Sequence, residues 1–198
     1  MKLSIISGSN RKDSYSFKAG NYLRRLAYTE GFDDINIFDL SSLNIPLMDG
    51  AFNYEKKEWS NWKIIAEDTT QSDAIILITP EWHGMATPSI KNFLMLCTSE
   101  QLGNKPILIV SISAGVNGVY PISEIRMTGS KNNHACFIPD HLIFRHCESL
   151  ISHEDLVTDK QFDSRARFSV KSLASYAQAL IAVRKNLQQE LKNFPFGM

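Results

Sequence analysis

Five short apolar runs punctuate the chain: Leu3 to Ile6, Ile35 to Phe38, Ala74 to Ile78, Pro106 to Ile112, and a weaker one around Leu142 to Phe144. Three of them are nearly continuously apolar. A strand that is apolar on both faces must be covered on both faces, which is the condition of a parallel sheet between two helical layers. Helical patterns fill the intervals at about Phe17 to Glu30, Lys57 to Gln71, Pro88 to Cys97 and Tyr120 to Ser130, and a long one runs from about Arg165 to Lys192. In that last segment Leu173, Tyr176, Leu180, Leu187 and Leu191 recur at steps compatible with one helical face. Five strands alternating with five helices predict a doubly wound α/β sandwich of three layers with right-handed crossovers. A sheet of this kind binds ligands at the carboxyl ends of its strands, near the point where strand order reverses.

The chain has 198 residues and shows no internal repeat, low-complexity tract or linker-like stretch, so one domain over residues 1–198 is expected. Lys and Arg together number 21, as do Asp and Glu, for a formal net charge of zero. That balance removes the bulk positive field on which non-specific nucleic-acid binding depends, and no nucleic-acid partner is expected. No apolar run approaches the roughly 20 residues that cross a bilayer, and the N-terminus passes into a strand without a signal-peptide pattern. A cytoplasmic protein without a membrane partner is the expectation. Cys97, Cys136 and Cys147 are an odd number without CxxC spacing, which agrees with a reducing compartment and with packed thiols.

The chemistry belongs in the loops after the strands, and three of them are unusual. The first strand runs into Ser7-Gly8-Ser9-Asn10-Arg11-Lys12-Asp13-Ser14-Tyr15-Ser16 and then a helix. A glycine and several hydroxyls ahead of a helix N-terminus offer free N–H groups and a favourable dipole end to an anion, and Arg11 adds a guanidinium for phosphate oxygens. Neither GxxxxGK[ST] nor GxGxxG is present, so the triphosphate and dinucleotide loops are disfavoured. The third strand ends in Thr79-Pro80-Glu81-Trp82-His83-Gly84-Met85-Ala86-Thr87-Pro88, where Pro and Gly stiffen the backbone and Trp82 and His83 present planar surfaces. The fourth ends in Ser111-Ile112-Ser113-Ala114-Gly115-Val116-Asn117-Gly118, a small-residue loop that completes a three-sided crevice.

Gly8-Ser9-Asn10-Arg11 through Ser14-Tyr15-Ser16, with Thr79-Pro80-Glu81-Trp82-His83-Gly84 followed by Lys91-Asn92, resembles the NADPH-dependent FMN reductases, flavodoxin-like quinone, azo-dye and metal-ion reductases. The resemblance implies a five-stranded parallel sheet of order 2-1-3-4-5 and FMN phosphate held by Ser9, Arg11, Ser14, Tyr15 and Ser16. It places Pro80, Glu81, Trp82, His83 and Gly84 on the isoalloxazine ring, with Ser113, Ala114, Gly115, Val116, Asn117 and Gly118 bordering its other edge. The family's usual Pro-Glu-Tyr-Asn is here Pro80-Glu81-Trp82-His83, and the third loop lacks the paired glycines often found before the following helix.

The implied activity is ping-pong hydride transfer from NADPH or NADH through bound FMN to a quinone, azo compound, flavin or metal ion, in a homodimer or homotetramer. A flavin carries the redox chemistry itself, so no catalytic side chain is assigned. The alternative is a flavodoxin-like electron carrier or a flavin-free binding module. Arg126 and Lys131, weighed as partners for a 2′-phosphate, read instead as solvated helix-face charges. His134, Cys136, His141, His146, Cys147 and His153 crowd together without CxxC or HExxH spacing, and no metal site is expected from them. Ser113 lies one glycine short of a nucleophile elbow, which disfavours an esterase. The segment Asp49 to Lys57, with Phe52, Tyr54 and, just beyond it, Trp59, reads as a lid, a subunit contact, or a connecting loop with its aromatics tucked in.

Overall fold

The structure is a computed structural model that describes residues 1–50 and 55–196. Five parallel strands form one sheet in the order β2-β1-β3-β4-β5, as expected. They are β1 (Lys2–Ser7), β2 (Asp34–Asp39), β3 (Ala74–Pro80), β4 (Pro106–Ile112) and β5 (Cys136–Phe144). Every residue of β3 and β4 is buried. Because side chains alternate across a strand, each apolar run feeds two cores at once. Ile76, Ile78, Leu108 and Val110 pack with α1 (Tyr15–Thr29), the short α6 (Cys147–Leu150) and α7 (Lys160–Ala179) on one face. Ile75, Leu77, Ile107 and Ile109 pack on the other with α2 (Ser60–Gln71), α3 (Pro88–Leu96), the short α4 (Ser99–Leu102) and α5 (Tyr120–Thr128).

Three expectations are corrected. The weak fifth run is the end of a nine-residue strand, Cys136–Phe144. Pro139 lies within it and has no N–H to donate, so the ladder with β4 shifts register between Ile107 and Ile109. Arg126 occupies the gap: its Nη2 donates to the carbonyls of Ile138, Pro139 and Asp140 at 2.8, 3.0 and 3.0 Å, so it is a structural clasp and not a solvated charge.

The single long terminal helix is in fact α7, capped by Asp159, followed by α8 (Ile181–Asn193), with Leu180 between them near φ −83°, ψ −2°. The buried stripe of α7 is Ala166, Ser169, Val170, Leu173, Ala174 and Ala177, whereas α8 buries none of its residues. The leucine periodicity therefore overstates what the C-terminus contributes to the core. Helix α8 is held by Arg184, which pairs with Asp73 at 3.0 Å where β3 begins. Of the aromatic segment, Phe52 and Tyr54 lie outside the described residues, while Trp59 is buried beside Trp62.

The amino ends of the strands carry polar knots. The Ser4 hydroxyl meets Asp68 Oδ2 at 2.5 Å and Ser72 Oγ at 2.6 Å, and Lys2 pairs with Asp68 at 2.6 Å. Lys105, only 5% exposed, donates to the carbonyls of Thr69 (2.5 Å) and Thr70 (2.7 Å) at the end of α2. Burial, and secondarily Arg184, push its ammonium pKa down to about 8. The sign follows from proton counting: between about pH 8 and the ordinary lysine range the unfolded chain binds more protons, so folding gains stability as pH rises through that window. Urea unfolding of the wild type should strengthen from pH 8 to 10 relative to Lys105→Met, in which this slope disappears. Parallel pH profiles for the two proteins would refute the assignment.

At the other end the register aligns the carboxyl ends: Ser7 faces Ile78, Pro80 faces Ile112, and Ile112 faces Phe144. Chain order reverses between β1 and β3, with β2 on one side of that pair and β4 and β5 on the other. The three loops identified in the sequence leave the sheet along this rim.

Candidate functional site

The loop after β1 is drawn over the sheet by close backbone packing. Gly8 N–H donates to the Ile78 carbonyl at 2.8 Å, and Thr87 Oγ1 donates to the Gly8 carbonyl at 2.5 Å. A Cβ built on Gly8 would stand 2.0 Å from Ile90 Cγ1 and 2.9 Å from the Ile78 oxygen, so a glycine is required by proximity alone. Farther along, Ser9 Oγ accepts from Arg11 N at 3.1 Å, Asp13 turns through the left-handed region (φ 53°), and Ser14 caps α1 by accepting from Phe17 N at 3.2 Å. The first turn of α1 holds no acidic residue, which leaves its N-terminal dipole available to an anion.

The loop after β3 is a hairpin in miniature. Trp82 N donates to Met85 O at 3.1 Å and Met85 N to Trp82 O at 2.9 Å. Between them His83 and Gly84 both take positive φ, 51° and 73°, the signature of a type I′ turn. Glu81 N donates to Ile112 O at 2.9 Å, extending the contact with β4 past Pro80. Trp82 faces the first loop, where the Arg11 guanidinium stacks 5.2 Å from its ring centre.

These pieces enclose a cleft of about 360 Å³, within the range typical of small-molecule sites. Of the residues anticipated from sequence, Ser9, Arg11, Ser14, Tyr15, Ser16, Pro80, Glu81, Trp82 and Ala114 line it. His83 does not; it projects at the exposed tip of the turn, and Gly84 sits behind it. Nor do Ser113, Gly115, Val116, Asn117 and Gly118. Their loop is pulled toward β5, with Arg145 Nε donating to the Val116 and Asn117 carbonyls at 2.6 and 3.1 Å and His146 N to the Gly115 carbonyl at 3.0 Å.

Lys12, Asp13, Ile112, Cys147 and Glu148 also line the cleft. Lys12, Asp13 and Ile112 belong to the loop segments already named. Cys147 and Glu148 come from the turn after β5, where Cys147 N donates to Ser113 O at 3.1 Å. That contact spans 34 positions of sequence and leaves no local signal. The Cys147 thiol pKa is raised by burial and by neighbouring Glu148, which suits a packing role. Among the described residues no group of three or more His, Cys, Asp and Glu is placed to hold a metal ion.

Two buried polar atoms without a partner, contributed by two different loops, meet in this cleft. Ser16 Oγ and Glu81 Oε2 are buried there without any hydrogen-bond partner among the described residues. Orphaned buried polar atoms are costly, so an unpaired hydroxyl at a helix N-terminus beside Arg11 asks for an anion, and an unpaired carboxylate oxygen asks for a donor. FMN carries both: a phosphate, and ribityl hydroxyls with a ring N–H. A larger hollow of about 550 Å³ lies at the opposite end of the sheet, lined by Asp73, Lys105 and Arg184 among others. None of its lining side chains carries a buried polar atom without a partner.

Sheet order and rim together define a flavodoxin-like protein. A flavoenzyme NAD(P)H:(acceptor) oxidoreductase from Paracoccus denitrificans shares the fold with a TM-score of 0.69 at 19% identity, over 90% of this chain and 97% of the other. In sequence, an FMN-dependent NADPH-azoreductase of Staphylococcus aureus is 26% identical over 181 residues, spanning 89% of this chain and 95% of that enzyme. One from Staphylococcus saprophyticus is 29% identical over 129 residues, 64% of this chain and 68% of that enzyme. The family model for NADPH-dependent FMN reductase matches residues 1–148, and the chain belongs to that family. It is an oxidoreductase that uses FMN and NADPH. No described helix is long and apolar enough to cross a membrane.

Proposed function

We propose that this protein passes reducing equivalents from NADPH, or NADH, through FMN held in the rim cleft to a small organic acceptor, azo compounds and quinones foremost. The observation that carries the reading is the pair of orphaned groups, Ser16 Oγ and Glu81 Oε2, facing one cleft from two different loops. Relatives named as FMN-dependent NADPH-azoreductases support the azo acceptor. Ser9, Arg11, Ser14, Tyr15 and Ser16 would hold the phosphate, while Pro80, Glu81 and Trp82 face the ring and Ala114, Cys147 and Glu148 form the far wall.

FMN supplies the hydride-accepting and electron-donating chemistry when bound, and the side chains need only bind, orient and shield. Arg11 would neutralise phosphate charge, and its stack on Trp82 ties the two loops together. Glu81 Oε2, unpaired in the structure, would accept a hydrogen bond from the group that fills the cleft. His83 and Gly84 shape the turn that presents Trp82, and Ser113, Gly115, Val116, Asn117 and Gly118 back the wall behind Ala114.

The reading includes a single FMN-binding domain over residues 1–198, a small-molecule partner without nucleic acid, and a homodimer or homotetramer. Exposed Val116, Val119 and Tyr120 beside the cleft loops support the assembly, which sedimentation measures directly. The decisive experiment loads the protein with FMN, adds NADPH without oxygen, and then adds an azo dye or a quinone. Bleaching of the flavin followed by recovery of its colour is the expected result. Bound flavin that NADPH fails to bleach would overturn the reductase assignment.

A further inference from the structure

Glu124 lies on α5, 38 residues from the loop that follows β3, yet its carboxylate is built into that loop. One oxygen accepts from Ala86 N at 2.7 Å, and the other meets Lys91 Nζ on α3 at 2.6 Å. Its side chain is 28% exposed and that of Lys91 42%, so the pair is partly withdrawn from water. Burial alone would raise the carboxyl pKa, but Lys91 and the Ala86 N–H together overcome it and hold the group below its ordinary range. Ala86 directly follows Met85, the residue that closes the turn carrying Trp82. Tyr120, on the same helix as Glu124, lies against Gly84: a Cβ there would be 3.8 Å from Tyr120 Cδ2.

We infer that Glu124 is a positioning residue for the flavin: by joining α5 to the Ala86 N–H and to Lys91, it fixes the Trp82–Met85 turn so that Glu81 and Trp82 keep their place in the cleft. This inference rests on the rim cleft being the FMN site. The mechanism is pre-organisation. The Trp82–Met85 turn closes on itself, its entry is pinned by Glu81 N on the Ile112 carbonyl and its exit by Thr87 Oγ1 on the Gly8 carbonyl, and Glu124 adds a charged acceptor on Ala86 that ties the exit to α5 before the ligand arrives.

The test compares Glu124→Ala and Glu124→Gln with the wild type. Glutamine keeps an acceptor for the Ala86 N–H but loses the charge that pairs with Lys91. Fluorescence titration of the apoprotein should show FMN dissociation constants raised about tenfold in Glu124→Ala and about threefold in Glu124→Gln. Amide exchange at Ala86 in the apoprotein should accelerate in the same order. Asp163→Asn is the matched control, because Asp163 also joins two elements, accepting from Tyr22 at 2.7 Å and pairing with Arg167 at 2.7 Å, but lines no part of the cleft. It should lower thermal stability and leave FMN affinity unchanged.

If Glu124→Ala binds FMN as tightly as wild type, or if Asp163→Asn weakens FMN equally, Glu124 has no positioning role. If the wild type itself does not bind FMN, the site assignment fails before this one is reached.

Discussion

Replacing Ser16 with aspartate should abolish FMN retention while the apoprotein remains folded. Ser16 is the second residue of α1, 1% exposed, and its hydroxyl has no partner. A carboxylate there is welcome to the empty helix terminus, where negative charge is stabilising by about 0.3–1 kcal/mol. It is hostile to phosphate: two like unit charges about 4 Å apart repel by roughly 4 kcal/mol at an effective dielectric of about 20. Even half of that weakens binding by more than about tenfold, and the full value by several hundredfold. Ser16→Ala separates the terms, since removing an unpaired buried hydroxyl should leave the apoprotein as stable or more so while FMN binds about tenfold more weakly. Melting curves with and without FMN read both effects. Undiminished flavin binding in Ser16→Asp would remove the phosphate from this end of α1.

The second large effect is expected at Gly8, where valine should cost about 3 kcal/mol or more. The added carbon would stand 2.0 Å from Ile90 Cγ1 and 2.9 Å from the Ile78 carbonyl oxygen, so part of the clash is with backbone that cannot rotate away. Overpacking of this kind costs about 1–3 kcal/mol where side chains alone must yield. In a protein of this size, 3 kcal/mol lowers the melting temperature by roughly 6–12 °C. Adding Ile90→Ala to Gly8→Val should restore part of the loss, because it removes the side-chain half of the collision and leaves the backbone half. A Gly8→Val protein that melts with the wild type would mean that β1 and β3 do not approach as closely as described.

The sheet is legible in the sequence because β3 and β4 are apolar on both faces at every residue but Thr79 and Ser111, and few other architectures need that. The first loop was equally legible, since the serines that cap α1 and carry its unpaired hydroxyl follow one another in sequence. Legibility failed where contacts are distant. Cys147 and Glu148 enter the cleft through a bond between Ser113 and the turn after β5. The loop at 113–118 leaves the cleft, except at Ala114, because Arg145 holds its carbonyls, and neither fact has a local pattern. The terminal helix departs from its pattern for the opposite reason: its leucines keep a helical period beyond Leu180, but α8 buries none of its residues. Helix α7 begins at Lys160, five residues before Arg165, because the Asp159 carboxylate caps it by accepting from Gln161 N and Phe162 N ahead of the apolar stripe.

The knot of Lys2, Ser4, Asp68 and Ser72 sits at the amino ends of the strands, and the cleft loops sit at the carboxyl ends. None of the four knot residues lines the cleft, and Lys12 and Glu148, exposed side chains that do, stand at the opposite end of the sheet from it. Substitutions at those two positions are expected to alter what the cleft admits at the least cost to the scaffold, which makes them the natural first targets for directed evolution.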